Sequence, residues 1–209
     1  MTPLETTDLL EDRSLRGPDF CRALTERIDG FLAEVFAAAD PPTGTALVAV
    51  GGYGRREQCP GSDVDVVLVH PPGVDIADVA ERVWYPLWDA GLKLGHQVGT
   101  LPQLLEVASE HLDTATSLLA ARPVAGDPAV AERLAAEALE QWSGRSRRHL
   151  DDLQASVAER HARYGEVAFL LEPDLKESRG GLRDVHNLLW VEQATVPILR
   201  EVESAGLVA

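Results

Sequence analysis

Basic residues are scarce in this chain: 19 Lys and Arg stand against 34 Asp and Glu, for a formal net charge of −15. A long phosphate backbone is bound chiefly by cations that neutralise it, so polymeric nucleic acid is a disfavoured partner. A single metal-complexed nucleotide is not excluded, because a few local cations and one divalent ion outweigh a distant acidic surface. Cysteine is nearly absent. Cys21 and Cys59 are too few for a disulfide framework and nothing in the sequence brings them together, so a reducing cytoplasm is the expected compartment. Residues Met1 to Arg16 lack the basic start and apolar run of a signal peptide. No stretch is long and apolar enough to span a bilayer, and no membrane partner is expected. What the chain has is 209 residues with 45% hydrophobic content, enough to bury a core in one domain or two small ones.

From Pro18 to Asp40, Phe20, Leu24, Ile28, Phe31, Leu32, Val35 and Phe36 recur at helical spacing, and Asp40-Pro41-Pro42 ends the run. Thr45 to Val50 and Val64 to Val69 are short apolar runs of strand type, the first stopped by Gly51-Gly52. Asp75 to Ala90 is again helical, with Asp75 as N-cap and Gly91 as its stop, and Leu92 to Thr100 reads as a third strand. After Leu101 the patterns are almost all helical: Leu101 to Ala108, Leu112 to Ala121, Pro128 to Trp142 behind an Asp127 cap, Ser146 to Arg163, and Leu182 to Thr195. The expected layout is a tail over 1–17, an α/β (α+β) domain over 18–105 with a small mixed sheet, and an all-helical domain over 106–209.

The segment Val48 to Val69 carries the chemistry. Gly51 and Gly52 end a strand where backbone must come close to a ligand, since glycine leaves its N–H groups open to phosphate oxygens. Ser62 adds a hydroxyl donor. Asp63 and Asp65, two apart on a strand, share a face and can hold one cation, while Val64 points into the core. Carboxylates are the hard ligands that Mg²⁺ prefers, and the ion keeps its other positions for water and substrate phosphates. The chemistry this permits is in-line attack on an α-phosphorus with pyrophosphate leaving, and Asp65 is a candidate to help deprotonate the acceptor. A solvated turn with acidic residues is the plainer alternative. The conjunction of strand, Gly-Gly, ten-residue connector and Asp-Val-Asp opening a second strand weighs against it.

Gly51-Gly52 with Asp63-Val64-Asp65 resembles the signature of the DNA polymerase beta-type nucleotidyltransferase superfamily. The longer string, Gly51-Gly-Tyr-Gly-Arg55, Glu57 and Pro60-Gly-Ser-Asp-Val-Asp65, is similar to the N-terminal domain of bacterial PII uridylyltransferase/uridylyl-removing enzymes. So are Leu87-Trp-Asp-Ala-Gly-Leu-Lys-Leu-Gly-His96 and Leu171-Glu-Pro-Asp-Leu-Lys-Glu-Ser-Arg-Gly-Gly-Leu-Arg-Asp184, and the resemblance covers roughly residues 20 to 195. It implies a polymerase-beta-type nucleotidyltransferase domain over 18–105. It also implies transfer of UMP or AMP from Mg²⁺-bound UTP or ATP to a tyrosine hydroxyl of a PII-type signalling protein. Asp63 and Asp65 would be the catalytic metal ligands, and Gly51, Gly52, Arg55, Ser62, Lys176 and Arg179 would bind the nucleotide.

The chain departs from the pattern in places. Many superfamily members carry a third carboxylate on the neighbouring strand, and Leu94 to Thr100 has none. Family members show an arginine where Gly99 stands and a glycine where Arg56 stands. Full-length relatives continue into a metal-dependent phosphohydrolase domain and paired sensing domains, so removal of the modification is not expected from these residues. A different small-molecule or RNA acceptor, or a non-catalytic nucleotide- or partner-binding fragment, are the rival readings.

For the remaining residues the plain readings come first. Lys176, Arg179 and Arg183 flank Gly180-Gly181 and form either a solvated loop or a set of cations closing over the triphosphate. Asp184 is expected to cap the last helix, and Glu57 to pair with Arg55. His96 reads as a half-buried strand histidine, and Trp84, Trp88, Trp142 and Trp190 as core.

Overall fold

The structure, a computed structural model, describes residues 4–172 and 174–204, with 196–204 by backbone alone. Pro173 of the Leu171 to Asp184 segment, and the ends 1–3 and 205–209 of the expected tail and helical domain, lie outside the described residues. The chain divides into two compact units, Met1–Ala138 and Leu139–Ala209.

In the first unit a short helix α1 (Thr7–Glu11) precedes α2 (Pro18–Ala38), β1 (Ala46–Ala49), a single helical turn α3 (Gly51–Gly54), β2 (Val64–Val69), α4 (Ala77–Asp89) and β3 (Leu94–Gly99). Then come α5 (Leu101–Glu110), α6 (Leu112–Leu118) and β4 (Arg122–Gly126), and α7 (Pro128–Gly144) runs across the division. Helix α1 lies in the segment read as a tail, where Arg27 of α2 holds it by twin hydrogen bonds to Asp8 at 2.8 and 2.9 Å. Pro18 sits in the first turn of α2, where its missing N–H costs nothing. Asp127 accepts from the Ala129 N–H at 3.0 Å at the start of α7; Asp75, expected as the N-cap of α4, stands one residue before the actual N-cap, Ile76, and accepts from the Ala77 N–H at 3.2 Å.

The sheet has the order β3-β2-β1-β4. β1 runs antiparallel to β2 and to β4, and β2 runs parallel to β3 through the α4 crossover, which makes the sheet mixed as expected. Val64, Val66 and Leu68 of β2 and Leu47 and Ala49 of β1 pack with the apolar stripes of α2 and α4. Val48, Val67 and Val69, on the opposite face, are buried as well, which is why both central strands are almost continuously apolar. Strand β4 has no counterpart in the sequence reading, which ran only helices past Leu101; the sheet-bearing unit therefore extends beyond the boundary expected at 105. Pro123 inside β4 explains the miss, since proline argues against a strand except at an edge, and β4 is an edge.

The second unit contains the end of α7, α8 (Ser146–Tyr164), a short 3₁₀ turn over Val167–Phe169, and α9 (Leu182–Ser204). Its core is aromatic. Trp142 stacks on His149 with ring centroids 4.3 Å apart, and its Nε1 donates to the Trp190 carbonyl at 2.9 Å. Burial pushes the His149 imidazole down, toward its neutral form. Trp84, Trp142 and Trp190 are core residues as expected, whereas Trp88 is 44% exposed, because α4 turns it toward the surface beside Tyr85 and His96. No described helix is long and apolar enough to cross a membrane.

Candidate active site

The site grows from the end of β1. Val50 donates its N–H to the Asp65 carbonyl at 3.0 Å, and the chain then coils into α3, whose Gly51 takes φ +58°, a region glycine enters at little cost. A Cβ added at Gly51 would lie 3.0 Å from Asp65 Oδ2 and 3.1 Å from Ser117 Oγ. On the other side, β3 sets Gly95 in register with Asp65, and a Cβ there would lie only 2.1 Å from Asp65 Oδ1. The Asp65 carboxylate thus lies between two residues that have no side chain. Asp63 is exposed and immediately precedes β2, one residue before the strand begins. Ser117, on α6, is brought to this place by the fold alone, and nothing in its sequence surroundings signals it.

Three residues fix the Gly-Gly-Tyr-Gly turn from behind. Tyr53, buried, donates its hydroxyl to Asp29 of α2 at 2.5 Å, and Arg122 of β4 pairs with both Asp29 oxygens at 2.7 and 3.0 Å. Arg122 also reaches the Gly54 carbonyl through Nε at 3.3 Å and lies over the Tyr53 ring, 5.5 Å from its centre. Burial, then the Asp29 carboxylate, push the Tyr53 phenol far up, so it remains a protonated donor. Asp29 and Arg122 were not singled out in the sequence. Asp29 is a polar residue beside an apolar helix stripe, and Arg122 lies in the unread strand.

The connector to β2 is also ordered. Arg55 Nε pairs with Glu57 at 2.9 Å, as expected from their spacing. Arg56 takes φ +62°, a left-handed conformation that glycine enters more readily than arginine. Buried Gln58 donates to the Ser62 carbonyl at 3.0 Å, and Ser62 itself is exposed. His96, expected to be half-buried, is exposed on β3, with the rings of Trp84 and Trp88 beside it at centroid distances of 5.2 and 5.5 Å. A separate cavity, lined by Leu4, Leu9, Arg27 and Phe31 among others, includes none of the signature residues.

The donor set fits a hard divalent cation. Asp63 and Asp65 offer carboxylate oxygens two residues apart, and Gly51 and Gly95, the residues on either side of the Asp65 carboxylate, add no side chain of their own. Among the described residues no group of three His, Cys, Asp or Glu is assembled to hold a metal. The remaining positions would fall to water and phosphate, which is the coordination Mg²⁺ tolerates best.

Lys176 and Arg179 lie in the second unit and are described there. Asp174 accepts the N–H groups of Lys176 and Glu177, both at 2.9 Å, and Lys176 Nζ stands 4.0 Å from Glu177. The Arg179 backbone bonds Gly165 and Val167 at 2.8 and 3.1 Å; its exposed side chain has no partner among the described residues. Asp184 does more than cap: it accepts from the Gly180 N–H at 2.7 Å, from His161 at 2.9 Å and from Arg160. Burial would raise its carboxyl, but these three donors hold it down to about 2. A depressed carboxylate contributes stability above its unfolded value and loses it as pH falls through the folded one. Asp184→Asn should therefore cost about 2 kcal/mol at neutral pH. Urea unfolding of both forms should show that gap closing between about pH 4 and about pH 2.

With this geometry in place, likeness to other proteins becomes specific. Residues 18–97 match the nucleotidyltransferase family DUF294, and residues 133–208 match the family described as GlnD PII-uridylyltransferase. A bifunctional uridylyltransferase/uridylyl-removing enzyme of Streptomyces coelicolor is 46% identical over 179 residues, 84% of this chain and 21% of that protein. The chain belongs to this family. Enzymes of the same description from Nitrosospira multiformis (37% over 186 residues; 85% of this chain, 21% of theirs) and Mycobacterium tuberculosis (43% over 148; 70% and 18%) are similar too. The chain spans about a fifth of the length of these curated uridylyltransferase relatives. A crystal structure of a toxin–antitoxin with AMP-PNP aligns at TM-score 0.40 and 12% identity over 63% of this chain and 96% of that one, too loosely to bear on function. As a member of the uridylyltransferase family, the chain carries a nucleotidyltransferase domain, and the α3 turn and the start of β2 lie within the matched 18–97.

Proposed function

We propose that the chain transfers UMP, or AMP, from a Mg²⁺-bound nucleoside triphosphate to a PII-type signalling protein and releases pyrophosphate. The observation that carries this reading is the placement of the Asp65 carboxylate between Gly51 and Gly95, at the strand that Asp63 opens. Asp63 and Asp65 would hold the metal, which when bound supplies positive charge to the α-phosphate and the departing pyrophosphate. Gly51 and Gly52 present first-turn N–H groups that have no partner within their own helix, and these suit phosphate oxygens. Ser62 and Arg55 stand on the connector that borders this turn, and Ser117 adds a hydroxyl beside Asp65. Asp65 is also the candidate to help take the acceptor's proton. Lys176 and Arg179 are nucleotide-binding candidates on the resemblance alone; the Arg179 guanidinium is not engaged by another described residue. The acceptor and the choice of uridine rest on what the uridylyltransferase relatives are called.

The test is incubation of the purified chain with Mg²⁺, a PII-type protein and α-labelled UTP or ATP in parallel, read by gel and mass spectrometry. Label on the PII protein that disappears in the Asp63→Ala/Asp65→Ala form is the expected result and names the nucleotide. No label with either nucleotide from a folded chain would remove the transferase reading and leave a nucleotide- or partner-binding domain.

A further inference from the structure

Cys21 and Cys59 are far apart in sequence, yet the fold brings their sulfurs to 3.9 Å. Cys21 is half-buried in the first turn of α2, and Cys59 is exposed on the connector between α3 and β2. A disulfide requires about 2.05 Å between sulfurs, so an approach of about 2 Å closes the bond. Among the described residues no third His, Cys, Asp or Glu joins them, so the pair is not built as a thiolate metal site. The turn that carries Cys59 is coupled to the candidate active site. Ser62 donates its N–H to the Cys59 carbonyl at 3.1 Å, Gln58 holds the Ser62 carbonyl, and the next residue is Asp63.

We propose that Cys21 and Cys59 form a reversible oxidation site. A hydroperoxide closes the dithiol into an internal disulfide, and closure slows nucleotidyl transfer by drawing the Cys59–Ser62 turn, and Asp63 with it, toward α2. The slowing rests on the transfer chemistry proposed above; the disulfide does not.

The order of events follows from exposure. Cys59 is open to solvent, whereas burial, then the neighbouring Cys59 thiol and the Glu57 carboxylate, push the Cys21 thiol up. The Cys59 thiolate attacks one peroxide oxygen, the O–O bond breaks, and the leaving oxygen departs as water or alcohol with the proton from the thiol. That step leaves a sulfenic acid. The Cys21 sulfur then attacks the Cys59 sulfur, the S–O bond breaks, and water carries off the second proton. Two electrons pass from the sulfur pair to the peroxide. Two small thiols restore the dithiol by exchange and become one small disulfide themselves.

The experiment uses the whole chain, reduced, then exposed to stoichiometric hydrogen peroxide, alkylated and analysed by mass spectrometry. The expected product is a monomer lighter by two hydrogens, with the Cys21 peptide linked to the Cys59 peptide and the link released by dithiothreitol. Its thermal midpoint should rise by about 5 °C, because the bridge closes a long loop. Label transfer by the oxidised sample should fall about tenfold through displacement of Asp63, and return on reduction. Cys59→Ser should keep its transfer rate under peroxide. Overoxidised Cys59 or cross-linked dimers in place of the internal link would overturn the site, and an internal link with undiminished transfer would overturn the control. Absence of transfer in the reduced chain would refute the transferase reading alone, since the peptide link is read independently of activity.

Discussion

Gly95→Ala should lower nucleotidyl transfer by about a hundredfold or more while leaving the stability of the fold nearly unchanged. The added methyl would lie 2.1 Å from Asp65 Oδ1 and 3.3 Å from its Cγ, but 3.8 Å from its Cα. The conflict is therefore with the carboxylate and not with the strand. Asp65 has only two side-chain torsions, so relief comes by rotating the carboxylate out of its place between Gly51 and Gly95. Strand β3 is an edge and gains from exchanging glycine for alanine, which offsets the small cost of that rotation. Thermal melting and label transfer on the same preparation separate the outcomes. A lowered melting point with parallel loss of transfer would mean that the methyl disrupts the sheet. Full transfer with an intact fold would mean that Asp65 does not act in this orientation.

The same contact explains part of the departure noted in the strand. The residue in register with Asp65 has to be a glycine, so a third carboxylate could not stand at 95, and the next residue on that face, Gln97, lies beside Val67 instead. The Asp65 carboxylate and the Ser117 hydroxyl are what the fold brings to the Gly51 turn.

How far the sequence revealed all this depended on whether the signal was local. The β2 strand was legible at both ends, Val64 and Val69, because a run buried on both faces is apolar apart from Asp65 and Asp63 marks its start. The α2 stripe was legible for the same kind of reason, since one face packs and the other does not. The turn at Gly51-Gly52 was legible because a chain that leaves a strand at positive φ favours glycine, and Asp65 because it interrupts an apolar strand. β4 was not, because Pro123 and Gly126 break the pattern that an edge strand is free to lose. Ser117, Asp29 and Arg122 were invisible because each meets the α3 turn only through long-range contact. The Cys21–Cys59 approach is of the same kind, a contact made when α2 packs beside the connector.

Arg122→Met should destabilise the first unit by about 3–5 kcal/mol, the cost of leaving a buried carboxylate without its cation. Asp29 and Arg122 side chains are only 19% and 17% exposed, and after the substitution Asp29 would keep the Tyr53 hydroxyl as its donor. Tyr53→Phe removes one neutral-to-charged hydrogen bond and should cost about 1.5–3 kcal/mol. The informative variant is the double one, Asp29→Asn with Arg122→Met, which removes both charges and should recover part of the single-variant loss. Urea unfolding of the four forms gives the coupling directly. Strong coupling would show that the pair anchors α2 to β4 through charge, whereas additive losses would show that each side chain acts by packing alone. The activity of the double variant then isolates the positioning role. Without Arg122 the Gly54 carbonyl loses its long-range donor, so the α3 turn that presents Gly51 and Gly52 should hold nucleotide more weakly even where stability has been regained.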